Sequence, residues 1–140
     1  MSTPTPYGSP ITLEQAKKVV AAAEAEALSN GWPVVIAIVD SGGSLVLLHR
    51  LDNTQLASVE IAQAKARTAN NFRRPSKNFE DSVAGGGVGL RLLAMPGLAP
   101  LEGGIPIIVN GQVIGAIGVS GVQSGQDAQI AQAGVQALTP

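Results

Sequence analysis

The segment GGIPIIVNGQVIGAIGVSG, residues 103–121, leaves little choice of local fold. Two apolar runs flank Asn110-Gly111, a dipeptide that accepts positive φ at both central positions of a type I′ turn. Residues 105–109 and 112–120 are therefore predicted to pair as an antiparallel hairpin. Its glycines are the unusual part. Gly111 serves the turn, but Gly115 and Gly118 interrupt the second strand, where glycine marks close approach by another backbone or a ligand. Three positions apart, they point to opposite faces, so they do not thin one face for one ligand. Gly103-Gly104, beside Glu102 and before Pro106, stands at the strand entrance, where backbone N–H groups can meet a ligand.

The rest of the chain supplies a second hairpin and several helices. PVVIAIVD is apolar on both faces, as in a strand covered on both sides. Asp40 to Gly43 turn the chain, and SLVLLHRL returns. TLEQ, Thr12 to Gln15, is a capping box. Ala16, Val19, Val20, Ala23 and Ala27 follow as one helical stripe that stops at Gly31, predicting a helix over 13–29. A second helix is read over 56–71 and cannot pass Pro75. Short helices at 78–83 and around LRLLAM are separated by AGGGVG, and a short strand is expected near 98–101. SGQD, Ser124 to Asp127, is read as the cap of a last helix with Ile130, Ala133, Ala137 and Leu138 facing inward. Hairpins joined by helices define an α+β fold, an antiparallel β-sheet flanked by α-helices on both sides. The expected division is a flexible N-terminal arm over 1–11 and a single domain over 12–140.

Composition narrows the function. The chain has 140 residues, a net charge of −1 and no cysteine. Disulfides, thiolate metal sites and cysteine nucleophiles are excluded, and no broad electrostatic pull toward nucleic acid is expected. No apolar run reaches the roughly 18 residues of a membrane span. The first residues lack the pattern of a signal peptide, so a cytoplasmic protein is expected.

GVSG, residues 118–121, half-matches a nucleophile elbow around Ser120, with His49 the one histidine and Asp40 or Asp52 as its partner; the fifth position is Val122, not glycine. GGGVGL lacks the third glycine of a dinucleotide fingerprint. No metal spacing is present, so no metal site is assigned. His49, in phase with Leu45, Leu47 and Leu51 on an apolar strand face, is either a hydrogen-bonded core or interface residue or a ligand for haem iron. Lys65, Arg67, Arg73, Arg74 and Lys77 hold five of the nine basic residues. They are either a solvated face or a clamp for carboxylate or phosphate. Lys65 shares its helical phase with Ile61, Ala62, Ala69 and Phe72, so it either snorkels from an apolar stripe or points into a pocket.

VVIAIVDSGGSLVLLHRLDN, ASVEIAQAKARTANNF, GGIPIIVNGQVIGAIGVSG and QDAQIAQAGVQAL, in this order, resemble the GlcG/HbpS family, the haem-degrading or DUF336 domain. The resemblance implies a profilin-like fold and a homo-oligomer. Some members bind haem, one partners a signalling kinase, and a related domain sits beside a cobalamin adenosyltransferase. This chain reads HRLDN where relatives often read RMDGA.

Three readings of function follow as expectations, two of them with a site. One is a small-ligand-binding protein, with haem or a related tetrapyrrole as the implied ligand and His49 or Met95 as the axial residue. Its site is expected between the glycine-rich hairpin, the Lys65 helix and the AGGGVG loop, with His49, Arg73, Arg74, Gly86, Gly103, Gly104 and Ile105 as ligand-binding residues. The other is a cofactor-independent isomerase, lyase or hydrolase for a small acidic or aromatic catabolite. There Lys65, Asp40, Asp52 or Glu102 is the catalytic acid or base. A third, an interaction protein with no ligand, rests on the sheet and helices as an oligomer interface.

Overall fold

Asn110 and Gly111 both take positive φ, 52° and 74°, and turn β3 (Gly104–Val109) into β4 (Gln112–Ser120). Strand β1 (Val35–Asp40) runs antiparallel to both β4 and β2 (Leu45–Arg50), giving one sheet of order β2-β1-β4-β3. The two β-hairpins are thus joined through their inner strands. Pro106 lies on the edge strand β3, where a missing N–H costs no central ladder bond. This computed structural model describes residues 3–139.

Helices cover both faces. Helix α1 (Leu13–Asn30) starts at the Thr12–Gln15 capping box and buries the stripe Ala16, Val19, Val20, Ala23 and Ala27. It packs with α4 (Ser124–Gln136) on the face that carries Ile36, Ile38, Ile107, Ile117 and Val119. Helix α2 (Ser58–Phe72) covers the other face, with Ala62, Ala66 and Ala69 against Val35, Ala37, Val39 and Ala116. Helix α3 (Lys77–Ala84) and a 3-10 helix (Gly87–Ala94) follow α2.

The hairpin glycines belong to this layering. Gly104 and Gly118 are register partners. A Cβ on Gly118 would collide with Ala62 O and Ala66 N, and one on Gly104 with the Lys65 carbonyl. The α2 backbone therefore rests directly on a two-glycine platform. Gly115 faces the opposite layer, toward the buried Ile11.

Several local expectations are corrected. Gln123, not Ser124, caps α4, in a reciprocal box with Gln126. Asp127, Ile130, Ala131 and Gly134 are its buried residues, while Ala137 is exposed and Ala133 half-buried. Residues 98–101 form no strand, because Ala99 N–H donates to Thr68 Oγ1 and ties the loop to α2. An irregular step between Ile38 and Val39 puts Leu45 opposite Val39, so Leu45 is out of phase with Leu47 and His49. The stretch before α1 runs extended along β4: Val113 N–H donates to Pro6 O, and Gly8 and Ile11 N–H groups donate to Val113 and Ile114.

Candidate functional site

The sequence-derived residues separate into several places. On the α1 side, Ile36 pairs with His49 across β1–β2, and His49 Nδ1 donates to Glu24 Oε1 at 3.0 Å. Because a carboxylate only accepts, the Nδ1–H tautomer is selected, and Nε2 of the neutral ring keeps its lone pair. Ser120 lies on the other face, where its Oγ donates to Ser58 Oγ. The sheet therefore separates Ser120 from His49, and no Ser-His pair forms.

Glu24 also lines the larger cleft, about 520 Å³, together with Leu28, Trp32, Pro33, Arg50, Leu51 and Asp52. Local geometry builds its walls. Gly31 ends α1 in the left-handed region, its N–H donating to Leu28 O while Trp32 N–H donates to Ala27 O, a Schellman pattern that turns Trp32 back onto the helix. Across from it, Leu51 N–H donates to Val34 O, and Thr54 Oγ1 donates to Val34 O and Leu51 O. The turn after β2 is thereby pinned beside the start of β1. The cleft has apolar walls with one cation, Arg50, and the acidic pair Glu24 and Asp52. Of the residues singled out from sequence, only Asp52 lines it, with His49 joined through Glu24. Trp32, the one tryptophan, and Arg50 come from elements about 20 positions apart, which no local pattern links.

A second cleft, about 280 Å³, lies beside the entrance of β3. Glu102, Gly103, Gly104 and Ile105 line it with Pro75, Lys77 and the α4 residues Gln129 and Gln132. The Gly104 N–H is not free for a ligand, since it donates to Ser76 Oγ at 2.8 Å. Behind Gly103 lies Lys65, only 3% exposed. Its Nζ donates to Val119 O at 2.9 Å and to Asp127 Oδ2 at 3.0 Å. Asp127 also accepts the Val122 N–H. Burial pushes the Asp127 carboxyl above the ordinary aspartate range, against the opposing pull of Lys65 and the N–H groups of Val122 and Gly121. Lys65 thus neither snorkels nor enters a cleft; it closes a buried ion pair.

The remaining residues lie elsewhere. Asp40 Oδ1 accepts the N–H groups of Gly42 and Ser44 and shapes its turn. The Arg73 guanidinium stacks over Tyr7 and donates to Thr5 O, and that of Arg74 lies over Phe79. Neither arginine lines either of these two clefts, so the basic cluster does not converge on them. Gly86 follows α3 with a positive φ of 69°, and Met95 ends the 3-10 helix; neither borders Gly103-Gly104 in the second cleft. Among the described residues no group of three or more acidic or histidine side chains could hold a metal ion. Among the described residues no helix is long and apolar enough to cross a membrane.

A four-stranded antiparallel sheet held between helices, with open clefts at its margins, defines an α+β domain of the sheet-between-helices class. The chain belongs to the HbpS-like family: the family model described as "Haem degrading protein HbpS-like" matches residues 11–136. Protein GlcG of Escherichia coli strain K12 is 42% identical over 110 residues, covering 79% of this chain and 81% of GlcG. The crystal structure of the DUF336 protein ORFY of Klebsiella pneumoniae superposes with a TM-score of 0.87 at 32% identity, over 99% of this chain and 97% of that one. That of a PduOC–haem complex superposes with a TM-score of 0.84 at 29% identity, over 93% and 96%.

Proposed function

We propose that this chain is a tetrapyrrole-binding protein and that haem occupies the cleft between the end of α1 and the turn after β2. The single observation that carries the reading is the His49–Glu24 pair. A histidine that ligates a metal almost always donates its other ring N–H to a carboxylate or carbonyl, which fixes the ring and its tautomer. Here Glu24 takes Nδ1–H at 3.0 Å and leaves Nε2 for iron. His49 does not line the cleft but adjoins it through Glu24, and the cleft offers surface for the rest of such a ligand. Its volume lies within the roughly 300–1,000 Å³ usual for ligand pockets. Leu28, Trp32, Pro33 and Leu51 offer apolar contact, and Arg50 offers a partner for a propionate. When bound, haem supplies an iron centre whose behaviour its axial ligand and surroundings tune. The haem complex of the related PduOC supports the reading.

The acid-base alternative has less support. Lys65 is held in the buried pair, Asp40 shapes a turn, and Asp52 and Glu102 lie in different clefts. The proposal includes a homo-oligomer, supported by the free edge of β2 and the exposed Leu45 and Leu56; light scattering reads the subunit number. Hemin titration followed at the Soret band tests the central reading. A saturable band that changes position and affinity in His49→Ala is expected. An identical spectrum and affinity in that variant removes His49 as ligand, and absence of any saturable band removes haem.

A further inference from the structure

The second cleft carries opposite charges on a scale too small for a tetrapyrrole. Its volume, about 280 Å³, is at the lower bound of ordinary ligand pockets. Its floor is the Gly103-Gly104 backbone, where Ser76 already holds Gly104 through both N–H and C=O. A ligand therefore meets side chains. The Lys65–Asp127 pair under the floor cancels its own charge. Two charged side chains line the cleft, Lys77 and Glu102, with the uncharged Gln129 and Gln132 on the α4 side.

Glu102 keeps its acceptors and Lys77 keeps spare N–H donors, although the Lys77 ammonium is paired with Asp81. Lys77 gives one of its three N–H donors to Asp81 at 3.1 Å. The Glu102 carboxylate makes no hydrogen bond among the described residues, although its backbone N–H donates to Glu80 Oε1. Gln129 Nε2 is already directed to Glu26, so that amide has its carbonyl left over. A simple anion here would lie against Glu102, and a simple cation against Lys77. A molecule with both charges satisfies both.

We propose that this cleft is a second binding site, for a small amino-carboxylate whose ammonium meets Glu102 and whose carboxylate meets Lys77. Ile105, Pro75 and Ala128 face the short apolar segment between the two charges. The site stands apart from the haem reading, sharing no lining residue with the larger cleft.

Amide NMR of the full chain tests it, with glycine, β-alanine, γ-aminobutyrate and 5-aminovalerate as probes and butyrate and butylamine as single-charge controls. At least one amino-carboxylate is expected to shift the Gly103, Gly104 and Ile105 amides saturably, about tenfold more tightly than either control, the effect of one added charge-assisted hydrogen bond. Glu102→Gln and Lys77→Gln should each erase that preference while the spectrum stays dispersed as for the native fold. Failure of every amino-carboxylate to shift these amides overturns the proposal. So does butyrate or butylamine binding as tightly as the best amino-carboxylate, or a preference that survives both substitutions.

Discussion

Lys65 Nζ lies 3.0 Å from Asp127 Oδ2, and both side chains are 3% exposed. The pair joins α2 to the start of α4 beneath Gly103, with Val119 O as a third member. Two charges taken out of water are held because each has its mate and further hydrogen bonds.

Removing one partner leaves the other charged, buried and alone. Asp127→Ala is expected to cost about 3–5 kcal/mol, and Lys65→Met a similar amount. The double variant Lys65→Met/Asp127→Leu should recover most of that loss, since an apolar pair of similar volume is often neutral or better. Urea unfolding of the three variants measures this. Additive losses in the double variant would mean that the two residues do not act as a pair.

The raised Asp127 carboxyl gives stability a pH signature. Above the unfolded aspartate value of about 3.9, the folded chain still holds a proton that the unfolded chain has released. Stability carried by this group is full below the unfolded value and is lost as pH rises through the raised folded value. Carbon-detected NMR titration of the Asp127 carboxyl should show a midpoint above the ordinary one. In unfolding experiments, Asp127→Asn should lack this share of the pH slope.

The glycine platform makes another prediction. Gly118→Ala sets a Cβ against the α2 backbone at Ala62 and Ala66, so the helix must move. A loss of about 1–3 kcal/mol is expected, as for other overpacked cores. Gly125 in α4 has open space around it. Gly125→Ala should stabilise by about 0.4–1 kcal/mol, through a less flexible unfolded chain. Thermal melts of the two variants should move in opposite directions.

His49 and Glu24 are a half-exposed pair, with 45% and 33% of their side chains accessible. Such pairs contribute at most about 1 kcal/mol. His49→Ala and Glu24→Gln should therefore fold normally, with melting temperatures close to that of the parent chain. A large loss of stability in either would assign the pair a structural role.

Much of the fold was legible because its signals are local. The Thr12–Gln15 capping box, the apolar stripe of α1 and the Asn110-Gly111 turn each act over a few residues, and each appears in the structure. The opposite orientation of Gly115 and Gly118 followed from the strand period alone. The helical phase of Lys65 admits snorkelling or a pocket, and neither holds, because its partner Asp127 lies 62 positions away in α4, inside the stretch that reads as a cap. The larger cleft was hidden for the same reason. Glu24, Trp32 and Arg50 become neighbours only when the Gly31 turn and the β1–β2 pairing bring the ends of two elements together. His49 was read on an apolar face; its edge-strand position and Glu24 across from it are tertiary facts.

Whether a tetrapyrrole occupies the α1–β2 cleft is read most directly by amide NMR with diamagnetic gallium protoporphyrin. The Trp32 indole N–H and the amides of Gly31, Leu51 and Asn53 are predicted to shift most, and saturably, with Glu24→Gln weakening the effect. Saturable shifts centred on Gly103 to Ile105, or on the exposed 3-10 helix, with Trp32 unmoved, would contradict the account.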